Sequence, residues 1–373
     1  MTAPLDCQRH LFELPDDVAY FDAAAWSPLP RAVRAAGEAG VLSKARPWEH
    51  DRDDDTAWAE RARAAAARMI GAAPSDIAVV GAVSHAIATA ANNLALAPGS
   101  RILRVEHEFP SQSLIWDRIA AERGLMLDVV PRPDDGDWTA ALLAAIARPG
   151  PPLALAALTP LHRSDGAVID LDRLAPAVRA SGAALVIDAT QAVGAMQVDV
   201  ARWQPDFLAF PTYKWVLGPY SVAFLYAAPH RQQGAPLEYT WINHPDRKPA
   251  AGAARYDRGE RDDPAGMRMA ATGLELVAGW NAAAVAARLR TLTDAIADGA
   301  QRLGIAVLPP PLRAPNIIGL RLPGGMPPGL IAHLKQDRVF ASDRLGVLRV
   351  SPHVWTTDAD IDRLLRALAG RLR

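Results

Sequence analysis

Short apolar runs alternate with alanine-rich helical stretches along most of this chain, and that alternation restricts its fold more than any other feature. The runs Ile77–Val80, Arg101–Val105, Leu125–Val130, Leu153–Leu158 and Ala183–Ile187 are close to continuously apolar, as strands buried on both faces are. Between and around them, residues 56–70, 84–97, 111–123, 138–147 and 171–180 read as helices. Ser84 and Ser111 stand as N-caps, and Gly71, Gly124 and Gly182 fall just past the C-ends. Strand and helix in turn imply an α/β fold with a mostly parallel sheet covered on both faces. Active sites in such sheets lie beyond the carboxyl ends of the strands. The charged run Glu49–Asp55 reads as a solvated loop ahead of the helix that starts near Thr56.

The pattern loosens over residues 228–266, where Pro229, Pro236, Pro245, Pro249 and Pro264 sit among mixed charges, before a long helical stretch from about Met269 to Leu303. A boundary fits there, giving a large domain over 20–260 and a small α+β domain made of 1–19 and 261–373. Its elements are expected at Ile305–Leu308, Ile317–Leu322, a helix near 328–337, Val347–Val350 and a helix from about 358. A length of 373 residues suits such a pair. Forty Lys and Arg balance 41 Asp and Glu, and neither sign forms a long block. The balance points away from nucleic acid and anionic membranes and toward a small-molecule enzyme. The first residues lack a charged region followed by an apolar stretch, and no apolar segment is long enough to span a bilayer, so the expected location is the cytoplasm. Cys7 is the one cysteine, which excludes an intrachain disulfide and a multi-cysteine metal site. The nine histidines contain no pair at helical spacing, so no metal site is expected.

Lys214 is the residue with the most chemical content. It lies in Phe-Pro-Thr-Tyr-Lys-Trp-Val-Leu-Gly-Pro-Tyr (210–220), between the strand-like segments 206–209 and 221–226, and therefore on the turn that joins them. A lysine amine that forms an imine with an aldehyde cofactor belongs at such a rigid, desolvated strand end. Upstream, Asp188 closes the run Ala-Ala-Leu-Val-Ile, where an unpaired carboxylate is expensive to bury, so a charged partner is expected. Gln191 follows three residues on. Alone, the pair also fits a helix N-cap Asp with a surface Gln. Gly-Ala-Val-Ser-His-Ala (81–86) opens a helix after a strand, which makes an anion site or, equally well, an ordinary N-cap at Ser84. Arg349, in Leu-Arg-Val-Ser-Pro-His-Val-Trp (348–355), could grip a carboxylate or pair with a structural acid.

Taken together and in chain order, these segments and Tyr-Phe-Asp-Ala-Ala-Ala-Trp-Ser-Pro-Leu-Pro (20–30) resemble the class V aminotransferase family of fold-type I pyridoxal 5'-phosphate (PLP) enzymes, which includes cysteine desulfurases, kynureninase and isopenicillin N epimerase. The resemblance implies that Lys214 forms the cofactor imine, Asp188 pairs with the pyridine nitrogen and Gln191 bonds the phenolic oxygen. It also implies phosphate contacts from Ser84, the amide of His85 and Thr212, with Tyr213 beside the lysine. Counting back from Trp116 places Phe109, rather than His107, as the ring stacked on the cofactor. Arg349 matches the residue that grips the substrate α-carboxylate. Arg163, in His-Arg-Ser-Asp-Gly (162–166), is either a contact for an anionic substrate side chain or a solvent-facing loop residue.

The resemblance further implies a homodimer in which a Gly-rich loop of the partner reaches the phosphate. Residues 259–263 occupy that place, with Glu260 where a hydroxyl residue is usual. Residues 340–346 lack the cysteine that desulfurases use as sulfur acceptor, so an enzyme persulfide is disfavoured. The expected activity is therefore work at the α-carbon of an amino acid, as an aminotransferase or epimerase-like enzyme. A C–S β-lyase and a non-catalytic family member are the alternatives.

Overall fold

The computed structural model describes residues 2–241, 246 and 250–371. Pro245 and Pro249 lie outside the described residues. A short strand β1 (Ala19–Tyr20) and two helices, α1 (Arg31–Ala45) and α2 (Arg52–Ile70), come first. The alternating region follows as β2 (Ile77–Val80), α3 (Val83–Asn93), β3 (Arg101–Val105), α4 (Pro110–Arg123), β4 (Met126–Val130), α5 (Trp138–Ala147), β5 (Leu153–Leu158), α6 (Leu171–Ala180), β6 (Ala184–Asp188), α7 (Val200–Trp203), β7 (Phe207–Pro211) and β8 (Ala223–Ala227). Two helices, α8 (Pro264–Gly279) and α9 (Ala282–Arg302), lead into β9 (Ile318–Leu320), α10 (Leu330–Gln336), β10 (Val339–Phe340), β11 (Ser342–Arg344), β12 (Val347–Val350) and α11 (Asp358–Ala369).

The large sheet has the order β2-β8-β7-β6-β5-β3-β4, with β7, β6, β5, β3 and β4 parallel and β8 antiparallel to both of its neighbours. Both faces of its inner strands are buried, while the edge strand β4 is partly exposed. Val79, Leu103, Ile187, Leu208 and Phe224 pack into one apolar cluster and Val80, Ile102, Val186, Ala209 and Leu225 into the other, which is why these strands read as continuous apolar runs. A smaller antiparallel sheet, β11-β12-β9, stands beside a parallel pair of β1 with β10. Among the described residues no helix is long and apolar enough to cross a membrane.

The expected glycine stops hold: Gly71 and Gly124 are left-handed C-caps, and Gly182, at φ 78°, follows the cap residue Ser181. Several element ends differ. The charged run is a loop only as far as Asp51, and from Arg52 it is helix. Asp51 caps α2 by accepting from Asp53 N–H, and Asp53, Asp54 and Asp55 occupy the first turn, where the helix dipole favours them. Ser84 and Ser111 are not caps, because α3 and α4 begin one residue earlier, behind Ala82 and Phe109, and Pro110 supplies a preset φ at the first helical position. The stretch from Met269 to Leu303 is two helices, broken at Asn281, whose φ is 64° and whose side chain accepts from Ala283 N–H to start α9. Residues 305–308 form no strand, only a bridge between Ala306 and Arg321, since three prolines follow from 309 and offer no N–H to a ladder.

Candidate active site

Lys214 sits on the turn that leaves β7 and returns to β8. That turn is closed by Gly218 N–H donating to Thr212 O at 2.8 Å, Leu217 N–H to Lys214 O at 3.1 Å and Thr212 Oγ1 to Pro219 O at 2.6 Å. Leu217 and Ser221 hold left-handed backbones (φ 61° and 60°) without being glycine, a strain that tends to gather at functional sites. The next turn over is pressed against this one: at Gly194, φ 92°, a Cβ would stand 2.5 Å from Trp215 O. Lys214 is only 8% exposed. Burial first, and then the neighbouring Arg349 charge, bring its amine down to about 8, against an opposing pull from Asp188.

The amine faces a cavity of roughly 220 Å3, which Lys214 lines together with Asp188, Gln191, Phe109, Ser84 and Arg163. Asp188 is the last residue of β6, opposite Ala209 in the sheet, and its Oδ1 accepts from Thr190 N–H at 2.9 Å. Burial pushes its carboxyl up, while the Thr190 bonds and Lys214 pull it down. Gln191 accepts from Trp215 Nε1 at 2.8 Å and donates from Nε2 to Ala24 O at 3.1 Å, which leaves one Nε2 hydrogen unspent.

Phe109 is 47% exposed within the cavity wall, and Lys214 Nζ and Arg163 Cζ lie 6.0 and 5.6 Å from its ring centre. His107 is absent from the wall. Its backbone is left-handed and its carbonyl accepts from Arg163 Nε at 3.0 Å. Tyr213 does line the cavity, stacks on Tyr220 at 4.1 Å and keeps its proton, pushed up to about 12 by burial first.

At the other end, Ser84 contributes from the first turn of α3. The amides of Val83, Ser84 and His85 precede the first helical bond, which Ala86 donates to Ala82 O, so they are free to face an anion. The His85 ring is outside the wall, with Nδ1 3.4 Å from Glu238, and burial first holds it below its ordinary pKa. Thr212 is not brought to the cavity: it is fully buried and its hydroxyl bonds backbone carbonyls of its own turn.

Arg349, on β12, lies just behind the wall. It is 3% exposed, with Nη2 3.2 Å from Asp22 Oδ1 and Nη1 donating to Arg163 O at 3.1 Å, while its buried Nε has no partner among the described residues. Burial first, then Arg344, bring it to about 10. Sequence reading passed over Glu108, a buried carboxyl in the same wall. Its only local signal is an acid directly before the aromatic Phe109, at the carboxyl end of a strand.

A lysine amine that can shed its proton near neutral pH, a buried carboxylate, an aromatic face and a free helix N-terminus thus share one cavity, with two arginines at its edge. Comparison with known proteins agrees in family. The family model described as Aminotransferase class-V matches residues 19–340. Isopenicillin N epimerase of Streptomyces clavuligerus is 29% identical over 95% of this chain and 95% of its own. A solved apo cysteine desulfurase from Thermococcus onnurineus superposes with a TM-score of 0.83 at 21% identity, covering 100% of this chain and 99% of that one. A structure of the cystine C–S lyase C-DES with glycine covalently linked to the PLP cofactor gives 0.84 at 21%, over 97% and 99%. The chain belongs to the class-V aminotransferase family, whose members are pyridoxal-phosphate enzymes.

Proposed function

We propose that this protein acts at the α-carbon of an amino acid, with Lys214 as the residue that holds the cofactor and moves the substrate proton. The observation that carries the reading is the meeting, in one cavity, of the desolvated Lys214 amine with Asp188, Phe109 and the α3 N-terminus.

The donor set fits PLP. Asp188 suits a ring nitrogen, Phe109 a ring face and the unspent Nε2 hydrogen of Gln191 a phenolic oxygen. Ser84 and the amide of His85 suit a phosphate. Thr212 supports the lysine turn instead of donating, because its hydroxyl proton is committed to a backbone carbonyl. When bound, the cofactor supplies an electron sink for charge released at the α-carbon. Lys214, whose amine burial brings down to about 8, accepts the α-proton at Nζ in its uncharged form and can return it. Asp188 holds a proton at the ring nitrogen. Arg349, held behind the wall by Asp22 and the Arg163 carbonyl, supplies positive charge toward the α-carboxylate, and the rings of Phe109 and Tyr213 flank Nζ and limit its solvation.

Epimerisation or transamination follows from where the proton returns. Similarity to an isopenicillin N epimerase along nearly the whole chain supports that pair of outcomes over β-elimination, since likeness to C-DES at 21% identity speaks for the fold alone. A persulfide mechanism lacks a sulfur: residues 340–346 hold no cysteine, and Cys7 points at Trp355 O, 3.7 Å away. A homodimer belongs to the same reading, with residues 259–263 reaching the partner's cofactor site.

The test is holoenzyme with a panel of amino acids in heavy water. Deuterium enters at Cα for the substrate, and either a 2-oxo acid or the opposite enantiomer accumulates. Lys214→Ala loses the exchange. Exchange that survives in Lys214→Ala, or its absence with every amino acid, contradicts the proposal.

A further inference from the structure

Glu108 is a buried carboxyl of the cavity that the proposed chemistry leaves unused. It stands between β3 and α4, only 7% exposed, directly after the left-handed residue His107 (φ 55°). Its Oε1 accepts from Phe109 N–H at 2.7 Å, whereas Oε2 is buried with no hydrogen-bond partner among the described residues. Three charged groups face it: Asp188 from the end of β6, Arg163 from the loop after β5 and Arg104 from β3. Neither arginine donates to it among the described residues. Arg104 is held by Asp117 at 2.8 Å, and Arg163 turns to the His107 carbonyl at 3.0 Å.

An ionised carboxylate in that position is opposed twice, by lost solvation and by the like charge of Asp188. Burial first, and Asp188 second, push the Glu108 carboxyl up to about 7. A protonated carboxyl has one O–H to give, and the orphaned Oε2 is the atom placed to carry it.

We propose that Glu108 is a positioning residue that works as a neutral acid: with its proton on Oε2, it leaves Asp188 as the single negative charge at that end of the cavity and presents a hydrogen-bond donor to the group bound there. The inference rests on the assignment of Asp188 to the cofactor ring nitrogen. If Glu108 ionised, a second charge beside Asp188 would oppose the flow of negative charge toward that end of the cavity. Turnover would slow while the cofactor stayed bound.

Infrared difference spectra of the holoenzyme, taken on either side of pH 7, test this directly. Wild-type protein shows a protonated-carboxyl band that fades as pH rises through about 7. Labelling with 13C-glutamate shifts that band, which assigns it to a glutamate without any variant, and Glu108→Gln removes it. In parallel, the wild-type kcat falls through the same pH window with KM steady, and Glu108→Gln abolishes the falling limb whatever its absolute rate. Absence of a glutamate band in wild-type protein, or a falling limb that persists in Glu108→Gln, overturns the inference. An enzyme that still exchanges Cα hydrogen through Lys214 in those circumstances keeps the functional reading and loses only the role of Glu108. Loss of Lys214-dependent exchange would instead overturn the functional reading itself.

Discussion

Arg349 and Arg163 are a linked pair of cations, since Nη1 of the first donates to the carbonyl of the second, and both act electrostatically on Lys214. Arg349 already leans on Asp22, while Arg163 faces the cavity with its guanidinium over Phe109. Arg349→Ala should therefore raise KM for every amino acid, and Arg163→Ala only for those with an acidic side chain. Each lost charged hydrogen bond costs roughly 1.5–3 kcal/mol, about ten- to a hundredfold in KM. Equal losses on neutral and acidic substrates would remove Arg163 from selectivity, and an unchanged KM in Arg349→Ala would remove Arg349 from binding. The residues that sequence could place are those whose position follows from the end of a strand: Lys214, Asp188, Phe109, Ser84. Thr212 and Glu108 were not legible in the same way. One hydroxyl is used up by Pro219 O, and the other side chain owes its state to burial first and then to Asp188, on a different strand.

Among elements, the alternation of strands and helices was readable because burial on both faces leaves a continuous apolar run, and because glycine at a left-handed cap marks a helix end. Starts were harder. Ser84 looks like a cap, yet α3 begins ahead of it and keeps its first amides free, a choice that suits an anion and that propensity cannot foresee. The break at Asn281 was hidden between two alanine-rich runs that favour helix, where Gly279 ends α8 and a positive φ at Asn281 precedes α9. Strand β11 lay in a stretch that offered no apolar run; it forms because Ser342 and Arg344 pair with Arg349 and Val347 across a tight turn with Leu345 and Gly346 both at positive φ. Close packing of α1 on α8 likewise depends on Gly40, where a Cβ would stand 2.3 Å from Pro264 O.

At the level of the whole molecule, the ends of the chain converge on the lysine turn. Strand β1 pairs with β10, Asp22 bonds both Arg349 and Ser342, Ser27 N–H reaches Tyr213 O, and His353 is stacked between Trp215 and Trp355 at 5.2 and 4.6 Å. That convergence explains why matches near residues 20 and 349 carry as much weight as the lysine segment itself. The proposed homodimer should appear as a single species of twice the chain mass in light scattering at working concentration. A fully active monomer would contradict shared sites. Everything above depends on Lys214. Borohydride reduction of the yellow holoenzyme, followed by digestion and mass spectrometry, should place the cofactor mass on the peptide containing Lys214 and nowhere else, and Lys214→Ala should carry none. Recovery of that mass on another lysine, such as Lys44 or Lys335, would contradict the account.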